Sequence, residues 1–213
     1  MNQQVIATLA ERTVPVLPVI QVEQAEEILP IAEALAQGGI NALEITLRTA
    51  AGLDAIRLAK QQLPDAIICA GTVTTVEQFK AVADLGVEFV VTPGLTESLL
   101  RVADSLDVPL LPGVATPSDI MLGIENGLNY FKLFPAAVVG GISMLKAMQG
   151  PFPDLHFCPT GGLTADNFCD YLSLNNVFCV GGSWMIVKDG EVLQYDKTIN
   201  AAKAVHSLLA SNK

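Results

Sequence analysis

Lys132 lies in the run Tyr130-Phe131-Lys132-Leu133-Phe134-Pro135-Ala136, one cation among large apolar and aromatic side chains with no counter-charge inside the segment. Burying an unpaired ammonium is costly, so such a group finds a partner or gives up its proton. A neutral amine at neutral pH is a nucleophile toward a ketone or aldehyde. The stretch by itself favours the plainer reading, a lysine whose stem follows apolar surface while its head reaches water.

A second constellation is Leu43-Glu44-Ile45-Thr46-Leu47-Arg48-Thr49. On a strand that extends this far, Glu44, Thr46 and Arg48 share one side and the leucines and isoleucine the other. Imine chemistry on a lysine needs repeated proton transfers, and a carboxylate in a dry cavity is suited to carry them, which makes Glu44 the candidate shuttle. The plainer reading of the same residues is a structural Glu44–Arg48 ion pair. Two glycine clusters, Pro159-Thr160-Gly161-Gly162 and Val180-Gly181-Gly182-Ser183, have the composition of an anion site. Glycines let backbone N–H groups approach a phosphate closely, and the Ser183 hydroxyl can add a donor; a Gly-Gly pair alone is more often a turn.

Apolar runs rich in Val, Ile, Leu and Phe must position these groups. They span 14–20, 42–46, 67–70, 88–92, 109–112, 130–134, 156–160 and 177–180. Such runs suit strands buried on both faces in a parallel sheet. Helical periodicity separates them: Ile28, Ile31, Ala32 and Leu35 follow the i, i+3, i+4, i+7 rule between residues 23 and 37, with Pro30 marking a kink or a late start. Thr75, Thr96 and Thr164 each stand before a helical stretch as expected N-caps. Gly, Pro or Thr clusters recur at 72, 93, 113, 161 and 181, and the intervals 72–93, 93–113, 113–132 and 161–181 measure 21, 20, 19 and 20 residues, the length of a compact strand-plus-helix unit.

These units predict an α/β fold, a (β/α)8 TIM barrel forming a single domain over residues 1–213 with a short N-terminal helix. An open doubly wound sheet is the alternative. In a barrel, function gathers at the carboxyl ends of the strands, and Glu44, Arg48, Thr72, Thr92, Pro93, Lys132, Thr160 and the two glycine clusters all fall there.

The chain has 213 residues, 51% hydrophobic and 16% charged, with ample core material. Its net charge of -10 argues against nucleic acid or an anionic membrane as partner, since both require a basic face. No stretch is apolar for long enough to span a membrane, and the N-terminus has neither the basic start nor the long apolar segment of a secretory signal, so the cytoplasm is the expected location. The four cysteines, Cys69, Cys158, Cys169 and Cys179, lack metal or disulfide spacing and are expected to be reduced core thiols. Only two histidines occur, which argues against a zinc or iron site.

The motifs Leu43–Thr49, Ala70–Val73 (AGTV), Thr92–Glu97 (TPGLTE), Phe131–Ala136 (FKLFPA), Phe157–Leu163 (FCPTGGL) and Val180–Trp184 (VGGSW) resemble, in order, those of the class I 2-keto-3-deoxy-6-phosphogluconate (KDPG) aldolases, also called 4-hydroxy-2-oxoglutarate aldolases. The resemblance runs from about residue 10 to the C-terminus. It implies a (β/α)8 barrel, a homotrimer, and reversible cleavage of KDPG, a 2-keto acid phosphate, to pyruvate and glyceraldehyde 3-phosphate, with no cofactor and no metal. Transferred position by position, it makes Lys132 the Schiff-base former and Glu44 the proton shuttle. Arg48 and Thr72 are implied to hold the pyruvate carboxylate, and Pro93 and Phe134 to line the pyruvyl pocket. Thr160 would lie beside the substrate chain, with Gly161, Gly162, Gly182 and Ser183 at the phosphate. Some relatives carry an arginine near the end of the first strand, where this chain reads Val19-Ile20-Gln21-Val22, so the choice between KDPG and its galactonate epimer stays open. Two other readings compete: a phosphate-binding isomerase or epimerase with Glu44 as base and Lys132 purely electrostatic, and a non-catalytic sugar-phosphate sensor.

Overall fold

The structure, a computed structural model, describes residues 2–211. Its strands are β1 (Val16–Ile20), β2 (Ala42–Thr46), β3 (Ile67–Gly71), β4 (Val90–Val91), β5 (Leu110–Leu111), β6 (Gly113–Val114), β7 (Tyr130–Leu133), β8 (His156–Pro159) and β9 (Val180–Gly182), followed by a small hairpin of β10 (Lys188–Asp189) and β11 (Val192–Leu193). Every residue of β1, β2 and β3 is buried, as their unbroken apolar runs require of strands covered on both faces. The run at 42–46 becomes β2 without change. The run at 88–92 shrinks to β4, and the last strand begins only at Val180, where the 177–180 run ends.

The closed (β/α)8 TIM barrel expected from these runs is not formed. Strands β5-β4-β3-β2-β1-β9 make one parallel, strongly curled six-stranded sheet that remains open, and β6-β7-β8 make a separate three-stranded sheet. Two prolines account for the breaks. Pro112 interrupts the fifth run between β5 and β6, and Pro159 ends β8, leaving isolated bridges Phe157↔Val177 and Thr160↔Gly181 between the eighth and ninth strand regions. Proline has no N–H to continue a ladder. Apolar periodicity reports which segments are buried, not which carbonyl finds which N–H, so these interruptions lay outside what the pattern reveals.

The helices follow their capping chemistry. Thr75 and Thr96 accept hydrogen bonds from the Gln78 and Leu99 amides at 3.2 and 3.3 Å, as expected. Thr164 does not cap a helix: its hydroxyl accepts from the Asp166 amide in a turn, and the helix starts at Phe168 after Asn167. Pro30 marks a late start, because the segment begins as a 3-10 turn at Ala25–Glu27 and becomes α-helical only from Ile28 to Gln37. Near the N-terminus two single turns, Gln4–Ala7 and Leu9–Arg12, bury Ile6 and Leu9 in a cluster with Leu17, Phe89 and Leu111.

The helix Pro117–Glu125 carries a reciprocal cap, with Thr116 Oγ1 accepting from the Asp119 amide and Asp119 Oδ2 accepting from the Thr116 amide, backed by Pro117 in its first turn. Thr116→Ala removes half of this arrangement and should lower stability by about 1 kcal/mol, read as a shifted urea midpoint with an unchanged slope.

Candidate functional site

β2 delivers Glu44 and β7 delivers Lys132 to the same interior point. Lys132 Nζ lies 3.0 Å from Glu44 Oε1, and the two residues are 3% and 1% exposed. Lys132 therefore does not reach out to solvent; the counter-charge missing from its own segment comes from a strand 88 positions away. Its Nζ also stands 5.4 Å from the centre of the Phe134 ring, within cation–π range.

Glu44 has room because of a residue the sequence reading did not single out. Gly71 ends β3, and a Cβ built there would collide with the Glu44 carboxyl group. The glycine of the Ala70-Gly71-Thr72 motif thus makes space for a buried carboxylate as well as ending a strand.

The polar triple of the second run divides its tasks. Thr46 Oγ1 donates to the Ile20 carbonyl at 2.9 Å and ties β2 to β1. Arg48 lies past the end of β2, and its Nε donates to Thr72 Oγ1 at 3.1 Å, so the arginine takes Thr72 as its neighbour while Glu44 takes Lys132. Thr72 has φ +57°. A β-branched residue in this left-handed region is strained by about 1–3 kcal/mol, a cost tolerated where the surroundings hold the group in place.

A cavity of about 520 Å³ opens over Lys132. Arg48, Thr72, Pro93, Phe134 and Thr160 line it, as do Gly161, Gly162, Gly182 and Ser183. Of the residues named from the sequence, Glu44 sits buried behind Lys132, and Thr92, whose Oγ1 donates to the Gly94 carbonyl at 2.7 Å, and Gly181 are not in the wall. Val19 and Leu163 complete the lining. Sequence reading missed both, since an apolar side chain at a strand end or in a loop carries no signal that distinguishes wall from core.

The two glycine clusters meet through the Thr160↔Gly181 bridge. Gly161 and Gly162 have φ +99° and +84°, conformations that a side chain would strain, so glycine brings the main chain to the cavity here. A second hollow of about 390 Å³ shares Val19, Arg48 and Ser183 and is bordered by Gln21, Glu23 and Lys188. Gln21 Nε2 donates to Glu23 Oε1 at 3.1 Å.

Cys69, Cys158 and Cys179 are buried and Cys169 is partly buried, and none of the four forms a disulfide. Burial foremost, and then the nearby charge of Glu44, pushes the Cys69 thiol well up. The hydrogen bond with Cys158, followed by burial, does the same to Cys179. Both are held as neutral thiols.

A family model described as KDPG and KHG aldolase matches residues 7–200. The chain belongs to that family. Among its relatives, the 2-dehydro-3-deoxy-phosphogluconate aldolase of Pseudomonas aeruginosa is 55% identical over 83% of this chain and 80% of its own length. The KHG/KDPG aldolase of Escherichia coli K12 is 46% identical over 90% of both chains. A solved structure of KDPG aldolase from Legionella pneumophila, with pyruvate captured at low pH as a covalent carbinolamine intermediate, superposes with a TM-score of 0.86 at 45% identity, covering 90% of this chain and 93% of that one. The sequence resemblance and the KDPG and KHG aldolase family assignment agree.

Removing one partner of a buried ion pair leaves the other charge uncompensated, whereas replacing both can be nearly neutral. Glu44→Leu should therefore cost about 3–5 kcal/mol in urea unfolding, and Glu44→Leu with Lys132→Met should recover most of it. Gly71→Ala, which crowds the Glu44 carboxyl group, should cost about 1–3 kcal/mol by the same measurement.

Proposed function

We propose that this protein is a class I aldolase, a lyase that cleaves 2-keto-3-deoxy-6-phosphogluconate to pyruvate and glyceraldehyde 3-phosphate through a Schiff base on Lys132, and that also accepts 4-hydroxy-2-oxoglutarate. The observation that carries the reading is the buried 3.0 Å contact between Lys132 Nζ and Glu44 Oε1 at the base of a cavity walled by Arg48, Thr72 and the two glycine clusters. Family membership and the names of the relatives support it.

In the first step Glu44 takes a proton from Lys132 across their hydrogen bond, which leaves the free amine. The amine attacks the C2 ketone, forming a C–N bond while the oxygen takes a proton. Water then leaves with proton help from Glu44, and the iminium becomes the electron sink. Glu44, directly or through a water, takes the C4 hydroxyl proton as the C3–C4 bond breaks, and its electron pair becomes the enamine. Glyceraldehyde 3-phosphate departs, C3 is protonated, and hydrolysis returns Lys132 and releases pyruvate.

In this reading Arg48 and Thr72 hold the pyruvate carboxylate, already joined to each other by a hydrogen bond. Pro93 and Phe134 wall the pyruvyl group, and Thr160 flanks the substrate chain. Gly161, Gly162, Gly182 and Ser183 receive the phosphate, aided by positive φ at the first two. A homotrimer and a cytoplasmic location belong to the same proposal; for the first, light scattering should return three times the chain mass. Among the described residues no helix is long and apolar enough to cross a membrane.

Borohydride with pyruvate should attach a reduced adduct to Lys132, located by peptide mass mapping. Lys132→Ala should lower KDPG cleavage by at least about 10³-fold, and Glu44→Gln by about 10²–10⁴-fold. A folded Lys132→Ala protein with wild-type cleavage overturns the mechanism. Turnover without a trapped adduct favours an isomerase or epimerase, and ligand binding without turnover a sensor. Parallel assays with the galactonate epimer and 4-hydroxy-2-oxoglutarate rank the substrates.

A further inference from the structure

The open seam between β5 and β7 is occupied by a side chain from the N-terminus. Gln3 is 8% exposed. Its Nε2 donates to the Leu110 carbonyl at 2.8 Å and to the Tyr130 carbonyl at 2.9 Å. Its Oε1 accepts from the Asn129 amide at 2.9 Å and the Tyr130 amide at 3.0 Å. These four bonds use both donors and both lone pairs of a primary amide, and rotating the group by half a turn would set NH2 against two N–H donors, so the orientation is unambiguous.

The position of this amide follows the ladder. β6 and β7 pair with Gly113 opposite Lys132, and the Lys132 amide donates to the Pro112 carbonyl at 2.8 Å. Carrying that parallel pattern back by two residues on both strands would have the Tyr130 amide donate to the Leu110 carbonyl. The Pro109 and Leu111 carbonyls already accept from β4-side amides, Val90 and Thr92, which leaves the Leu110 carbonyl facing β7. Gln3 satisfies both of the groups that this rung would have joined.

We propose that Gln3 is a positioning residue for the aldolase reaction: its side-chain amide stands in for the missing rung between β5 and β7, and so holds the first residue of β7 at the place from which Lys132 reaches Glu44 and the substrate carbonyl. Tyr130 and Lys132 lie on the same side of one four-residue strand, so a shift at Tyr130 is passed to Lys132 with nothing flexible between. Ile6 and Leu9, buried in the floor, anchor the segment that presents Gln3. The proposal rests on the Schiff-base reading of Lys132.

The test compares Gln3→Met, which keeps the length of the side chain without its hydrogen bonds, with Val205→Ala, which opens a small cavity under the C-terminal helix Tyr195–Ser211, away from the seam. Gln3→Met should lower kcat for KDPG cleavage and the rate of borohydride trapping of pyruvate by roughly tenfold each, with KM changed by less than about twofold. Val205→Ala should lower the melting temperature yet keep kcat within about twofold of wild type. A Gln3→Met protein that melts earlier but keeps wild-type kcat shows a merely structural role and overturns the proposal. Should Gln3→Met fail to fold, hydrogen exchange on the wild type decides. A Tyr130 amide as protected as that of Lys132 supports the surrogate rung, and one that exchanges at the rate of an unbonded amide overturns it. A wild type that traps no pyruvate removes the aldolase reading itself, a result distinct from normal trapping in both wild type and Gln3→Met.

Discussion

The Lys132 and Glu44 side chains, both almost wholly removed from water, face each other at 3.0 Å, and much of the surrounding architecture answers to the cost of holding them there. Neither group is tolerable in this interior without the other. Glu44 must therefore come from a strand next to one that ends in glycine, and Lys132 from a strand whose remaining side chains are apolar. β2, β3 and β7 meet those conditions through Gly71 and through Phe131 and Leu133. The same pairing that satisfies two buried polar groups places a carboxyl group one hydrogen bond from an amine.

Around this pair the polar groups are graded by depth. Thr46 is spent on structure, bonding to the main chain of β1. Arg48 and Thr72, further along their chains and beyond the strand ends, are bonded to each other and open to the cavity. Further out, the glycines of the last two loops bring main chain to the wall in conformations that a side chain would strain. A ligand with a keto acid at one end and a phosphate at the other matches that sequence of surfaces, from the apolar base with its single amine to a rim made of backbone.

The strand arrangement pays for its site with incomplete closure. Ladders stop at Pro112 and Pro159, and the sheet opens between β5 and β7 and between β8 and β9. At one opening a side-chain amide from Gln3 meets the stranded main-chain groups; at the other, two isolated bridges bring Thr160 next to Gly181 and so unite the glycine clusters. The breaks thus fall where the site needs departures from regular pairing.

The sequence by itself was enough for the buried parallel strands, the caps at Thr75 and Thr96, and the identity of most cavity-lining residues, because burial on two faces, N-capping and strand-end chemistry each leave a local mark of residue type and spacing. It also showed that Lys132 required an explanation. Residue type and spacing left Glu44 two partners, Arg48 four residues on or the lysine on a distant strand; imine chemistry and the family resemblance pointed to the lysine, and the fold brings the two to 3.0 Å. Only the tertiary structure exposes the role of Gly71, whose missing side chain matters only because Glu44 lies opposite, and that of Gln3, a polar residue near the chain start whose four partners are more than 100 positions away. The open sheet in place of a closed barrel was likewise decided in three dimensions, since hydrogen-bond closure depends on which main-chain groups face each other, and apolar periodicity carries no record of that.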